Sequence, residues 1–217
     1  MANHEFLRKL GLFAVPGFLT EEECARWREL AQTSNPVQAI VYEDHQARLN
    51  EDYRKTLTVK IQDPLQAATA SRLENLWPAI NAHFGVEIAA MEAVQCLVYR
   101  PGDFFRAHRD VADEPQLARR LVTIVVFLND PSCAAAPYQA GALTLYGLME
   151  TPAAAGFGFA VDAEIGLLIA FPSGMLHEVS PVVEGKRYTL VTWFLARQPE
   201  NRNEHEPDIQ TEATRSS

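Results

Sequence analysis

Two residues two positions apart, His108 and Asp110 in "FFRAHRDVADEP", carry the first chemical signal of this chain. On a strand, residues i and i+2 point to one face, so an imidazole and a carboxylate are expected side by side. Together they make two-thirds of a 2-His-1-carboxylate facial triad, the set that leaves positions open on a non-haem Fe(II). A third ligand must come from elsewhere. Of the six histidines, His4 and His205 lie near the ends, His83 closes a helical pattern and His45 sits in a polar loop. His177, in "FPSGMLHEVSPV", stands at a turn-to-strand junction and is the best candidate.

The same "HRD" occurs in kinase catalytic loops, but there the Asp is followed by four residues and then Asn. Here "VADE" is followed by Pro115, and neither a Gly-rich phosphate loop nor a DFG is present. A short motif such as H-x-D also occurs as an ordinary polar turn, so its meaning rests on its surroundings.

Ten residues after His177 comes Arg187, in "VEGKRYTLVTWF". Alternation puts Arg187, Thr189, Val191 and Trp193 on one face and Lys186, Tyr188, Leu190 and Thr192 on the other. If the first face is inward, a guanidinium enters an apolar interior, where an unpaired charge is costly. A carboxylate ligand would satisfy it in bidentate fashion; a salt bridge at a strand edge would do so too. In "RRLVTIVVFLN", Thr123, Val125 and Phe127 share a face, which adds a hydroxyl either to that interior or to a satisfied core.

These residues need a scaffold. "FLTEEECARWRELAQ" opens with Thr20 and Glu23, a capping box ahead of a helix. "DPLQAATASRLENLWPAINAHFG" starts with an Asp63 N-cap and Pro64 at the first helical position; Pro78 kinks or splits it and Gly85 closes it. After Gly85 come short branched or aromatic runs separated by Gly, Pro, Asn, Asp and Ser. They predict several strands in a sandwich or barrel. One or two further strands are expected in "QAIVYEDHQARLNEDYRKTLTVKI". The tail from about Gln198 is polar and expected to be disordered.

At 217 residues the chain suits one core. We expect one domain over 1–197, with a helical part to about 85, a β core over 86–197, and the tail over 198–217. A net charge of −9 argues against a broad nucleic-acid surface. The three cysteines form no CxxC and no disulfide framework. The N-terminal run, interrupted by Glu5 and Pro16, suits neither a signal peptide nor a membrane span. The expected setting is cytoplasmic, without nucleic acid or membrane.

"YRPGDFFRAHRD" resembles the Y-x-x-G-x-[YF]-x-x-H-x-D segment of Fe(II)/2-oxoglutarate-dependent oxygenases of the prolyl 4-hydroxylase type. "RLVTIVVFLN" resembles their R-x-x-T strand, "AGALTLY" a degenerate G-G-E segment, and "HEVSPVVEGKRYTLVTWF" their distal His-to-basic segment. "LFAVPGFLTEEEC" is similar to their opening strand and helix, so the likeness runs over about residues 10–196. It implies a mainly β fold with N-terminal helices around a double-stranded β-helix (jelly-roll, cupin-like) core. It assigns His108, Asp110 and His177 to Fe(II), and Arg187 to the distal carboxylate of 2-oxoglutarate. Tyr99 would support that carboxylate, with Thr123 or Thr189 contributing. O2 would be co-substrate, and 2-oxoglutarate would leave as succinate and CO2 while a C–H bond is hydroxylated. Asp110 argues against a halogenase, which needs a small residue there.

Ala140, Ala142 and Phe105 depart from the usual Gly, Glu and Tyr of that pattern, which bears on the substrate and not on the metal ligands. The substrate class implied is a small molecule, an amino acid or a peptide, prolyl included, with Arg54, Tyr138 and Phe157 as candidate contacts on loops. Two other readings are a cupin-type metalloisomerase or hydrolase, and a non-catalytic module that keeps the fold.

Overall fold

The computed structural model describes residues 4–43, 46–115, 117–148 and 156–198. The polar tail from 199, His45 and most of the loop before Gly156 therefore lie outside the described residues. Within them the chain begins with a short α1 (His4–Lys9), which the sequence reading did not anticipate, then β1 (Phe13–Val15) and α2 (Glu21–Thr33). The capping box forms as expected: the Glu23 N–H donates to Thr20 Oγ1 at 3.1 Å, and the Thr20 N–H donates to Glu23 Oε2 at 2.8 Å. Cys24, Trp27, Arg28 and Ala31, at helical spacing, make its buried stripe.

Pro78 does split the second helical segment, into α3 (Pro64–Glu74) and α4 (Trp77–Phe84). Asp63 caps α3 through the Leu65 N–H, and Gly85 closes α4 in the left-handed region. Trp27 Nε1 donates to Thr69 Oγ1 at 3.3 Å, tying α2 to α3.

Between α2 and α3 the chain makes five short strands where one or two were expected: β2 (Pro36–Gln38), β3 (Val41–Glu43), β4 (Gln46–Arg48), β5 (Arg54–Lys55) and β6 (Leu57–Val59). None exceeds three residues, too few for a periodic pattern to show. The β core follows with β7 (Ala90–Met91), β8 (Gln95–Tyr99), β9 (Phe104–His108), β10 (Arg120–Phe127), β11 (Tyr138–Ala140) and β12 (Leu143–Tyr146). It ends with β13 (Gly158–Ala160), β14 (Leu168–Pro172), β15 (His177–Val179), β16 (Val182–Gly185) and β17 (Arg187–Leu195). "HEVSPVV" divides into β15 and β16 at Ser180–Pro181, where proline offers no N–H to a ladder.

Two antiparallel sheets face one another. The larger runs β1-β14-β10-β17-β8-β6-β2, with β7 also on β17; the smaller runs β13-β12-β15-β9-β5. This is the double-stranded β-helix, with the helices on one side. Alternation along β10 shows why. Val122, Ile124 and Val126 face outward into a core shared with Trp27, Leu73 and Ile80 of the helices. Val125 and Phe127 face inward, toward Leu143, Leu145 and Val179 of the smaller sheet. Burial of both faces of the larger sheet is the main stabilising term, at about 25 cal/mol per Å² of apolar surface. No helix among the described residues is long and apolar enough to cross a membrane.

Candidate metal centre and its cavity

Between the two sheets lies a cavity of about 930 Å³. Its floor is set by one register pair, His108 at the end of β9 opposite His177 at the start of β15. Asp110 reaches the same point by a route the sequence reading did not foresee. The strand stops at His108, so alternation does not continue to Asp110. Instead the Asp110 N–H donates to Ser173 O at 2.9 Å, and that contact folds the loop back against the end of β14.

The result is a compact donor set. Asp110 Oδ1 lies 3.4 Å from His108 Nε2, and Oδ2 lies 3.5 Å from His177 Nε2. One ligand atom from each residue lies within 4.8 Å of the others, and all three side chains are buried. Each imidazole Nδ1 faces a carbonyl two residues earlier: Arg106 O at 2.8 Å for His108 and Met175 O at 2.9 Å for His177. With the proton held there, each Nε2 lone pair is left for a metal. Phe105 stacks on His108 with ring centroids 3.5 Å apart, and Phe171 meets His177 edge-on at 4.9 Å.

Burial opposes charge on Asp110, but His177, His108 and the Thr123 hydroxyl outweigh it and hold the carboxyl well below the usual carboxylate range. Burial pulls the His177 imidazole below its ordinary value, against the attraction of Asp110. The site therefore pairs an anionic carboxylate with a His177 imidazole disposed to be neutral, as a divalent cation requires of its ligands. Thr123 Oγ1 donates to Asp110 Oδ2 at 2.7 Å and lies 3.1 Å from Ser173 Oγ. Its hydroxyl thus orients a candidate ligand.

The residues that alternation puts on one face of β17, Arg187, Thr189, Val191 and Trp193, all line the cavity, so that face is the inner one. Arg187 is only 2% exposed, yet it has no carboxylate partner among the described residues. Its Nε, Thr189 Oγ1 and Trp193 Nε1 are buried without a hydrogen-bond partner. Tyr99, opposite Arg187 in the β8–β17 register, and Phe127 hold their rings 5.2 and 5.5 Å from the guanidinium carbon. A buried cation with an orphaned Nε, and the orphaned Thr189 hydroxyl on the same face of β17, suit a carboxylate ligand. The residues present therefore fit both Fe(II) and the far end of 2-oxoglutarate.

Of the three candidate substrate contacts, Arg54 lies in the cavity wall beside Phe105. Tyr138 is buried, and its phenol lies against the Arg187 guanidinium, at the other end. Phe157 is 68% exposed and does not line the cavity. The sequence reading missed Glu92, which binds Arg120 through both oxygens at 2.6 and 2.9 Å while the Arg120 guanidinium stacks 3.6 Å from Trp193. It also missed Gln38 and Ser173. No local pattern marks Glu92 or Ser173, whose partners come from distant strands, or Gln38, which lines the cavity from a three-residue strand.

The sequence model of the 2OG-Fe(II) oxygenase superfamily matches residues 94–195. A PKHD-type hydroxylase of Teredinibacter turnerae is 27% identical over 203 residues, covering 87% of this chain and 80% of the relative. One from Xylella fastidiosa is 28% identical over 195 residues, covering 83% and 74%. Among solved structures, a Pseudomonas putida prolyl-4-hydroxylase superposes with a TM-score of 0.65 at 24% identity, covering 89% of this chain and 97% of that one. A Trichoplax adhaerens prolyl hydroxylase in complex with a hypoxia inducible factor oxygen degradation domain peptide superposes at 0.63 with 18% identity, covering 88% and 86%.

Two facing sheets around a His-Asp-His group and a buried arginine suit an Fe(II)- and 2-oxoglutarate-dependent enzyme. Residues 94–195, most of the β core, match the 2OG-Fe(II) oxygenase superfamily, and the chain is prolyl 4-hydroxylase-like. Its cofactors are Fe(II) and 2-oxoglutarate, with O2 as co-substrate.

Proposed function

We propose that His108, Asp110 and His177 are the iron ligands, that Arg187 anchors 2-oxoglutarate, and that the enzyme hydroxylates a C–H bond of a small-molecule, amino-acid or peptidyl substrate. The observation that carries this reading is Arg187, a buried cation without a carboxylate partner on the wall that faces the triad. A cupin-type isomerase or hydrolase, or a non-catalytic module, would leave that charge buried and uncompensated, which costs several kcal/mol.

When bound, Fe(II) with 2-oxoglutarate supplies oxidative decarboxylation to succinate and CO2, coupled to hydroxylation of the substrate. The chain's own residues do the positioning. Arg187 presents a planar fork to the distal carboxylate, and the Thr189 hydroxyl adds a donor on the same face. Tyr99, Phe127 and Tyr138 wall in the guanidinium and exclude water. Thr123 holds the Asp110 carboxylate, and the Arg106 and Met175 carbonyls hold the proton of each imidazole at Nδ1. Trp193 and the Arg120–Glu92 pair line the same cavity on the substrate side. We assign residues 1–197 to one catalytic unit. A cytoplasmic setting agrees with the free thiols of Cys24, Cys96 and Cys133.

The test is anaerobic reconstitution with Fe(II) and 2-oxoglutarate, followed by the weak visible charge-transfer band. The wild-type protein is expected to show the band, Asp110→Ala plus His177→Ala to lose it, and Arg187→Ala to need far more 2-oxoglutarate. A band that survives the double substitution sinks the ligand assignment. Unchanged 2-oxoglutarate affinity in Arg187→Ala removes the anchor.

A further inference from the structure

Arg187 is not the only guanidinium without a carboxylate inside the cavity. Arg54, on β5, lies opposite Phe105 of β9 in the strand register. Its guanidinium carbon is 4.6 Å from the Phe105 ring, and that ring is stacked on His108. Arg54 thus stands one aromatic ring away from a proposed iron ligand. Among the described residues its hydrogen-bond acceptor is the carbonyl of Ile40, reached by Nη1 at 3.1 Å, and its Nε is buried without a partner. No carboxylate among the described residues pairs with it. Arg54 is half-buried by surface, and desolvation pulls its basicity down against weaker support from Tyr99 and Asp110.

The cavity holds a second orphan, on β2 at the edge of the larger sheet. Gln38, two residues before Ile40, lines the cavity and has its amide Nε2 buried without an acceptor. Gln38 and Arg54 both come from the segment between α2 and α3, whereas Arg187 comes from β17 in the larger sheet. The two cations therefore enter one cavity from different strands, Arg54 from β5 of the smaller sheet and Arg187 from β17 of the larger.

Charge completes the argument. With the metal in place, Asp110 offsets one of its two charges, and dianionic 2-oxoglutarate offsets the other together with Arg187. Arg54 remains without a counter-charge. Polar groups buried without partners are costly in a finished site, so donors left open in the cavity wall mark what the ligand brings. An acceptor for Arg54 and Gln38 must carry negative charge and two oxygens to use the fork.

We infer that the substrate carries a carboxylate, which Arg54 receives in bidentate fashion with Gln38 as a further donor, and that this contact directs a C–H bond elsewhere in the substrate toward the metal. The inference rests on the site reading given above and deepens it by naming the substrate's recognition group. The carboxylate belongs either to a free acid, such as an amino acid, or to an acidic side chain or C-terminus of a peptide.

The experiment uses the full chain loaded with Fe(II) and 2-oxoglutarate. The probes are the free L-amino acids and short aliphatic carboxylic acids beside their primary amides, and short peptides with acidic side chains or free C-termini beside their amidated forms. Succinate release and the shift in melting temperature are read for each pair. At least one carboxylate probe is expected to act, with its amide at least 100-fold weaker in kcat/KM. Arg54→Gln is expected to erase that preference mainly through KM, and Arg54→Lys to retain part of it.

Response to free acids alone identifies a small-molecule source, and response to peptides alone a peptidyl one; either supports the inference. Equal response to acid and amide, no response to any carboxylate probe, or a preference that survives in Arg54→Gln overturns it. The wild-type comparison of acid with amide stands even if a variant folds poorly. A wild-type protein without the charge-transfer band overturns the site reading itself, an outcome distinct from a band with no carboxylate preference.

Discussion

His108 and His177 are register partners across β9 and β15, and their rings meet with centroids 4.2 Å apart. A cross-strand pair is fixed by backbone hydrogen bonds on both sides, so the two Nε2 atoms are placed before any metal arrives. Asp110 is held less directly, by one backbone contact to Ser173 and one hydroxyl from Thr123. Replacing Thr123 by Val keeps the shape and removes the hydrogen bond. We expect Fe(II) or Co(II) affinity to fall by about 10–100-fold, the usual loss when a partner of a ligand is removed. Titration of the metal by its visible or quenching signal checks this, and unchanged affinity would show that Thr123 does not orient the ligand.

The acid side of the pH profile has a definite sign. The folded protein holds the pKa of both His177 and Asp110 below their unfolded values. In each case the unfolded chain binds more protons, so stability rises with pH. For His177 the stabilisation is present above the unfolded imidazole value of about 6.5 and is lost as pH falls toward the folded one. For Asp110 it is present above about 3.9 and is lost as pH falls through the depressed folded value. Melting temperatures of the metal-free protein should therefore fall from about pH 6.5 downward, and His177→Asn should flatten that slope near neutrality. A slope unaffected by the substitution would remove His177 as its source.

Ala140 takes φ +61°, the left-handed region, at a shift in register between β11 and β16. A Cβ there costs about 1 kcal/mol. Ala140→Gly is therefore expected to stabilise the protein by about 0.5–1 kcal/mol, less the extra freedom that glycine gives the unfolded chain. Urea midpoints at constant slope check this.

Its neighbour Gly141 has φ +66° and no room for a side chain. A Cβ would lie 2.7 Å from Val182 Cγ2 and 3.3 Å from Arg187 Cδ. Gly141→Ala should destabilise the fold and raise the Kd for 2-oxoglutarate, because the side chain displaced is the proposed anchor. A variant that loses stability but binds 2-oxoglutarate as before would show that the Arg187 position tolerates the shift.

Arg187→Lys tests geometry apart from charge. Lysine keeps the cation but loses the planar fork, so 2-oxoglutarate affinity should fall by about 10–100-fold, or about 1.4–2.7 kcal/mol. Calorimetric titration of the Fe(II)-loaded protein reads it. Wild-type affinity in the lysine variant would mean that charge alone holds the distal carboxylate.

Much of this was legible along the chain wherever a local rule was strong. Thr20 and Glu23 announced one helix, and Asp63, Pro64 and Gly85 bounded the next pair, because capping depends on neighbours in sequence. Alternation along β17 put Arg187, Thr189 and Trp193 on one face, because a paired strand repeats every two residues, and the fold made that face the inner one. The donor types at His108, Asp110 and His177 pointed to metal chemistry, and the structure brings the three together.

Other features belonged to the tertiary structure alone. Strand alternation does not explain Asp110, since β9 has ended by then; a hydrogen bond to Ser173, which lies 63 positions later in the sequence, turns it inward. Thr123 serves Asp110, Tyr138 faces Arg187, and Glu92 meets Arg120, all through contacts across strands. Residue type and local period specify which side chains can do chemistry and which face they take. Which of them meet, and which buried donors are left open, depends on the register and packing of strands far apart in sequence.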